Sequence, residues 1–215
     1  MRRVCHAVAV LSLYVAIALP AYAQEAETQG VKSHHDMLTH QHQEMGADAP
    51  LKDQSIYNLG STWMDQSGAS IAIASLRGQP IVAAMTYTSC KDICPLIVAD
   101  MMAIEDQLKA MHMDNVRFVL FSIDPQIDTP ERLKAYAAER GLDLSRWSLL
   151  TGDTKSVRTL AAILGVRYRR LSDGQFDHSN LVTLLDADGV VVYQAVGERQ
   201  TVDDFVNTVH KVMQH

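Results

Sequence analysis

Stretches of nearly continuous apolar residues alternate along this chain with stretches of helical period. Pro80 to Tyr87 and Val116 to Ile123 are nearly continuous apolar runs, the pattern of strands covered on both faces. Between them Pro95 occupies a favoured first position for a helix. The apolar stripe that follows is Ile97, Met101, Ile104, Leu108 and Met111, at spacings of 4, 3, 4 and 3. That spacing makes Met101 and Met111 core residues, while Met102, His112 and Met113 lie off or beyond the stripe. Asp128-Thr129-Pro130-Glu131 predicts a second helix, capped by Thr129 and stopped at Gly141. A strand over Trp147 to Leu150 and a helix over Lys155 to Leu164 come next. Leu181 to Leu185 and Val190 to Ala195 flank the turn Asp186-Ala187-Asp188-Gly189 and read as a hairpin. The last helix spans Val202 to Met213, with Val202, Phe205, Val206 and Val209 facing inward. Upstream, Asp65-Gln66-Ser67-Gly68 is a turn and Ser70 to Ser75 a short strand. Strands alternating with helices, then a hairpin and a helix, predict one α/β domain over residues 51–215 with a central sheet flanked by helices.

The first 50 residues break this pattern. Arg2 and Arg3 precede an apolar run from Ala7 to Leu19, then Pro20 and the small-residue site Ala21-Tyr22-Ala23. This is the layout of a secretory signal peptide over residues 1–23. A membrane anchor is the alternative, but the run falls short of the roughly 20 apolar residues a spanning helix needs. A lipid anchor would place a cysteine just after the run, whereas Cys5 lies before it. Residues 24–50 are polar and read as a flexible tail. That tail carries His34, His35, Met37, His40, His42 and Met45, either a metal-capturing tract or a solvated linker.

Length and charge narrow the function. The 215 residues suit one domain, and the net charge of −6 argues against a general nucleic-acid binder. Removing residues 1–23 would leave 192 residues and take away Arg2 and Arg3 but no acid, so the charge becomes −8. Cys5 would go too, leaving Cys90 and Cys94 in an oxidising, extracytoplasmic compartment such as the periplasm.

Those two cysteines lie in Thr88-Ser89-Cys90-Lys91-Asp92-Ile93-Cys94-Pro95, between a buried strand and a helix N-terminus. Backbone N–H groups there favour a thiolate, the nucleophilic and metal-binding form, and Lys91 adds positive charge. A structural disulfide, a redox dithiol and a metal site are all compatible with the pair. The metal reading needs a third ligand, and His178 in Asp177-His178-Ser179-Asn180 is the candidate, in a polar loop entering the strand expected beside the cysteine strand. Two sulfurs and an imidazole suit Cu(I), and Zn²⁺ with an added water is the chemical competitor.

From about Leu59 onward the chain resembles the SCO/SenC family of copper proteins. Thr88-Ser89-Cys90 through Cys94-Pro95 is similar to its copper loop. Ser122-Ile123-Asp124-Pro125, Asp128-Thr129-Pro130 and Leu133-Lys134-Ala135-Tyr136 are similar to its second motif. Asp177-His178-Ser179, followed by Leu184-Leu185-Asp186-Ala187-Asp188-Gly189, is similar to its histidine loop. The resemblance implies a thioredoxin-like fold with a mixed sheet and one copper ion, Cu(I) or Cu(II), held by Cys90, Cys94 and His178. It implies a part in building the dinuclear copper site of cytochrome c oxidase subunit II, by copper delivery or thiol reduction, with another periplasmic copper chaperone as a further partner. Lys91 departs from the proline usual in the family, which bears on the balance between those two activities. A thiol–disulfide oxidoreductase using Cys90 and Cys94 without a stable metal is the alternative, and a metal-scavenging tail a third.

Overall fold

Thirteen strands and helices, joined by short turns, make up the computed structural model, which describes residues 54–196 and 202–214. The expected signal segment and His/Met tail lie outside the described residues. The strands are β1 (Thr62–Asp65), β2 (Ser70–Ala72), β3 (Ile81–Thr86), β4 (Arg117–Ser122), β5 (Trp147–Gly152), β6 (Tyr168–Arg170), β7 (Phe176–His178), β8 (Leu181–Leu185) and β9 (Val191–Val196). The helices are α1 (Ile93–Ala110), α2 (Pro130–Arg140), α3 (Thr154–Ile163) and α4 (Val202–Met213). Seven strands form one sheet in the order β2-β1-β5-β4-β3-β8-β9, and β6 and β7 form a separate hairpin.

β3, β4 and β5 are parallel because α1 and α2 carry the chain back between them. β1 closes one side against β5 and β8 the other against β3, both antiparallel. The sheet is therefore mixed and thioredoxin-like. All six residues of β3 are buried because both faces are covered. Val82 and Ala84 join the core under α1, α2 and α4, while Ile81, Ala83 and Met85 join the core under α3 and the short 3-10 helices Ile56–Leu59 and Ile73–Leu76. A strand buried this way loses polar alternation and reads as an unbroken apolar run.

α2 and α4 follow their predicted bounds. Thr129 caps α2 by accepting from the Arg132 N–H, and Gly141 ends it in a left-handed conformation. The structure corrects other expectations. α1 begins at Ile93, not at Pro95, so Cys94 lies inside its first turn. Met111 ends the helix 45% exposed, and Met113, just beyond, is buried with Val116 and Leu142. The chain leaves α1 through His112 at φ 57°, which ends the helical period and exchanges the two methionines. Ser70 to Ser75 is a strand only as far as Ala72, and Ile73 then begins a 3-10 turn.

The β8–β9 turn also holds the start of the domain. Asp186 Oδ1 accepts the N–H groups of Asp188 and Val190, and the Gly189 carbonyl accepts the Ile56 N–H at 3.0 Å. Gly189 has φ +76°, and a Cβ there would lie 2.6 Å from the Tyr57 ring. Gly189→Ala thus combines backbone strain with overpacking, and is expected to destabilise the domain by about 2–4 kcal/mol. Equilibrium urea unfolding measures it, and an unchanged midpoint would refute the steric account.

Candidate metal centre

Three donors from three elements meet at one end of the sheet. Cys90 lies in the loop after β3, Cys94 in the first turn of α1, and His178 at the end of β7. Their ligand atoms all lie within 4.8 Å of one another, with Cys94 Sγ 3.1 Å from His178 Nε2. Metal–ligand bonds of roughly 2.0–2.3 Å span such a triangle. Both cysteines are free thiols in this structure.

The loop conformation follows from the helix start. Asp92 is the N-cap of α1, but its side chain makes no capping hydrogen bond. Cys90 Sγ takes that role, accepting the Cys94 N–H at 3.4 Å. A sulfur held by a helix N-terminus sits where negative charge is favoured. Burial acts to raise the Cys90 thiol, but hydrogen bonds from the Cys94 backbone and thiol, the Asp92 backbone and the Tyr87 hydroxyl outweigh it, holding Cys90 below its ordinary value. Cys94 is fully buried, and burial pushes its thiol well above the ordinary value. The two sulfurs are therefore unequal: Cys90 gives up its proton more readily than Cys94.

His178 is oriented from behind. Its Nδ1 donates to the Ser179 carbonyl at 3.1 Å, which leaves Nε2 with its lone pair toward Cys94. Ser179 is itself pinned to Arg167, through its N–H to the Arg167 carbonyl at 2.9 Å and its hydroxyl from the Arg167 N–H at 3.0 Å. Burial lowers the His178 pKa, which keeps the ring neutral and able to ligate. The sequence placed His178 in a polar loop, whereas it ends a short hairpin strand, Tyr168 opposite His178. Three-residue strands with exposed arginines carry too little alternation to be read as strands.

Two side chains shape the site without being candidate ligands. Tyr87 stands edge-on to His178 at 5.8 Å and to Phe176 at 5.2 Å between ring centroids, and its hydroxyl accepts the Phe176 N–H at 3.1 Å. Asp128, read from sequence as part of a helix start and of the family's second motif, is 1% exposed. Its carboxylate accepts the Thr88 hydroxyl at 2.5 Å, the Thr88 N–H at 3.1 Å and the Ser122 hydroxyl at 2.6 Å. It thereby ties the cysteine loop after β3 to the end of β4. Short polar residues just past β3 and at the end of β4, Thr88 and Ser122, were the available signal. Lys91 is exposed, and Leu133 and Tyr136 are core residues on the buried face of α2. Among the described residues, no helix is long and apolar enough to cross a membrane.

Comparison with known proteins identifies the family and the fold. The SCO1/SenC family model matches residues 54–214. The SCO1 protein homolog of Bacillus subtilis is 32% identical over 164 residues, covering 74% of this chain and 84% of the homolog. A solved structure of BsSco, described as a member of the Sco family of cytochrome c oxidase assembly proteins with a disulfide switch, has a TM-score of 0.64 at 29% identity, over 71% of this chain and 91% of that one. Arabidopsis thaliana ScoI with copper bound shares the fold, with a TM-score of 0.64 at 24% identity, over 72% of this chain and 97% of that one.

Proposed function

This chain belongs to the SCO1/SenC family, and we propose that it binds one copper ion through Cys90, Cys94 and His178 and uses it in assembling cytochrome c oxidase. The recipient is the dinuclear copper site of subunit II, which receives copper from this domain or has its cysteines reduced by it. Another copper chaperone supplies the ion. The work takes place in the periplasm after export by residues 1–23, or at the membrane if that segment is retained. The observation that supports this most is the convergence of two sulfurs and an oriented imidazole within 4.8 Å. Soft thiolate ligands select Cu(I) over harder cations.

Copper is cargo here, and each residue has a separate task in holding it. Cys90 offers sulfur as thiolate, Cys94 releases a proton on binding, and His178 enters without losing one. Copper affinity must therefore rise with pH. Between pH 6 and 8 the apparent association constant of the reduced protein is expected to rise by at least about tenfold per unit. Competition with a Cu(I) chelator at each pH measures it, and a flat profile would contradict the protonated Cys94.

The inequality of the thiols also supports the second activity. The Cys90 thiolate attacks a disulfide of subunit II, forming a mixed disulfide and releasing one partner thiolate. Cys94, after losing its proton, displaces the second partner sulfur. The partner gains two electrons and the Cys90–Cys94 pair is left oxidised. The deciding experiment adds protein with and without copper to an oxidised and to a reduced subunit II copper-domain fragment. Copper appearing in the reduced fragment supports delivery, and thiols appearing in the oxidised fragment support reduction. Neither outcome, with one copper per chain still bound, would overturn the assembly role.

A further inference from the structure

A cleft of about 550 Å³ opens beside the β6–β7 hairpin. It falls in the usual size range of ligand sites, roughly 300–1,000 Å³. Tyr168 and Phe176 give it aromatic walls, with ring centroids 6.0 Å apart. Arg158, Arg169 and Arg170 line it against a single carboxylate, Asp124. Three guanidinium groups around one opening reverse the local sign of a chain whose net charge is −6.

These arginines are not equivalent. Arg170 donates to Asp124 Oδ1 at 2.8 Å and lies over the Phe176 ring, 5.0 Å from its centroid, which holds it in place. Arg169 reaches Asp177 at 3.5 Å, but both side chains are largely exposed, so water screens that pair. Arg158 is exposed on α3 and has no ion-pair partner among the described residues.

The cleft communicates with the metal centre. Phe176 and His178 are two residues apart on β7 and share one face of it. Tyr87 contacts both rings. Whatever rests on Phe176 lies two ring contacts from His178, whose Nε2 is 3.1 Å from Cys94 Sγ.

We propose that this cleft docks an acidic stretch of polypeptide containing an aromatic residue, on the protein that exchanges copper or electrons with Cys90, Cys94 and His178. The guanidinium groups would pair with carboxylates, and the Tyr168–Phe176 wall would take the ring. An anionic lipid surface is disfavoured because the site is a cleft on a net acidic chain, not a broad basic face. The role in exchange rests on the proposed copper function, but docking itself needs no metal.

The test uses the reduced, metal-free full chain and a blocked peptide of alternating Glu and Asp around one Tyr. NMR titration is expected to give saturable shifts at Tyr168, Phe176 and the His178 ring. Binding should weaken at least tenfold in the double variant Arg158→Glu, Arg169→Glu, and should fall as salt rises. The same peptide with Gln and Asn replacing the acids should bind at least tenfold more weakly. Unchanged affinity in the double variant, equal binding of the neutral peptide, or binding only to phosphatidylglycerol vesicles would overturn the proposal. Copper stoichiometry is measured separately, and the double variant should keep the parent value. Loss of copper binding in the parent with peptide binding retained would remove the copper reading and leave the docking site. The reverse result would do the opposite.

Discussion

Replacing His178 with alanine is expected to lower the Cu(I) affinity of the reduced protein by about 100-fold or more while leaving the fold intact. Loss of an outer-shell partner alone typically costs 10–100-fold in metal affinity, and here an inner ligand disappears. A 100-fold loss corresponds to about 2.7 kcal/mol. The fold should survive because the ring is only partly buried, and the β6–β7 pairing runs through the backbone. Competition against a chromophoric Cu(I) chelator gives the affinity, and circular dichroism checks the fold. The variant should still bind some copper through Cys90 and Cys94, with weaker dependence on geometry. Parent-like affinity in His178→Ala would mean that the third ligand has been misassigned.

Asp128→Ala tests the support rather than the ligands, and should have the larger effect on stability. The substitution removes one buried carboxylate and strands three donors, the Thr88 N–H, the Thr88 hydroxyl and the Ser122 hydroxyl. Hydrogen bonds to charged groups contribute about 1.5–3 kcal/mol each, and the losses are not additive, so a destabilisation of about 3–5 kcal/mol is expected. Asp128→Asn keeps one acceptor oxygen and should lose less. Because Thr88 lies two residues before Cys90, copper affinity should fall as well. A double-mutant cycle with Thr88→Val separates the two roles, since the pair should cost clearly less than the sum of its members. Additive costs would show that Asp128 does not act through the cysteine loop.

The sequence made most of the fold readable because most elements are buried on a regular period. The apolar runs of β3 and β4, the hairpin of β8 and β9, and the caps of α2 are local signals, and the structure keeps them close to where they were read. Signals failed where an element was short or where geometry overrode a residue's preference. Pro95 is compatible with the first position of a helix, yet α1 starts two residues earlier, because the Cys90 sulfur meets an N–H that would otherwise lack a partner. Met111 continued the stripe by arithmetic, but the left-handed turn at His112 sent Met113 inward instead. β6 and β7 are three residues each and mostly polar, so the hairpin that presents His178 left no periodic trace.

By itself, the sequence determined the α/β class, the cysteine loop at a strand–helix junction, and the three side chains with the right chemistry to hold a soft cation. Those follow from local composition, which a chain carries wherever it folds. Only the tertiary structure decided that His178 Nε2 faces Cys94 Sγ, that Asp128 fastens the cysteine loop to β4, and that Arg158, Arg169 and Arg170 gather beside a ring touching Tyr87. The Asp128–Thr88, His178–Cys94 and Phe176–Tyr87 meetings join residues 40 to 89 positions apart. Sheet order sets them, by placing β8 beside β3 and folding the β6–β7 hairpin over the end of the sheet, and no local pattern encodes that order.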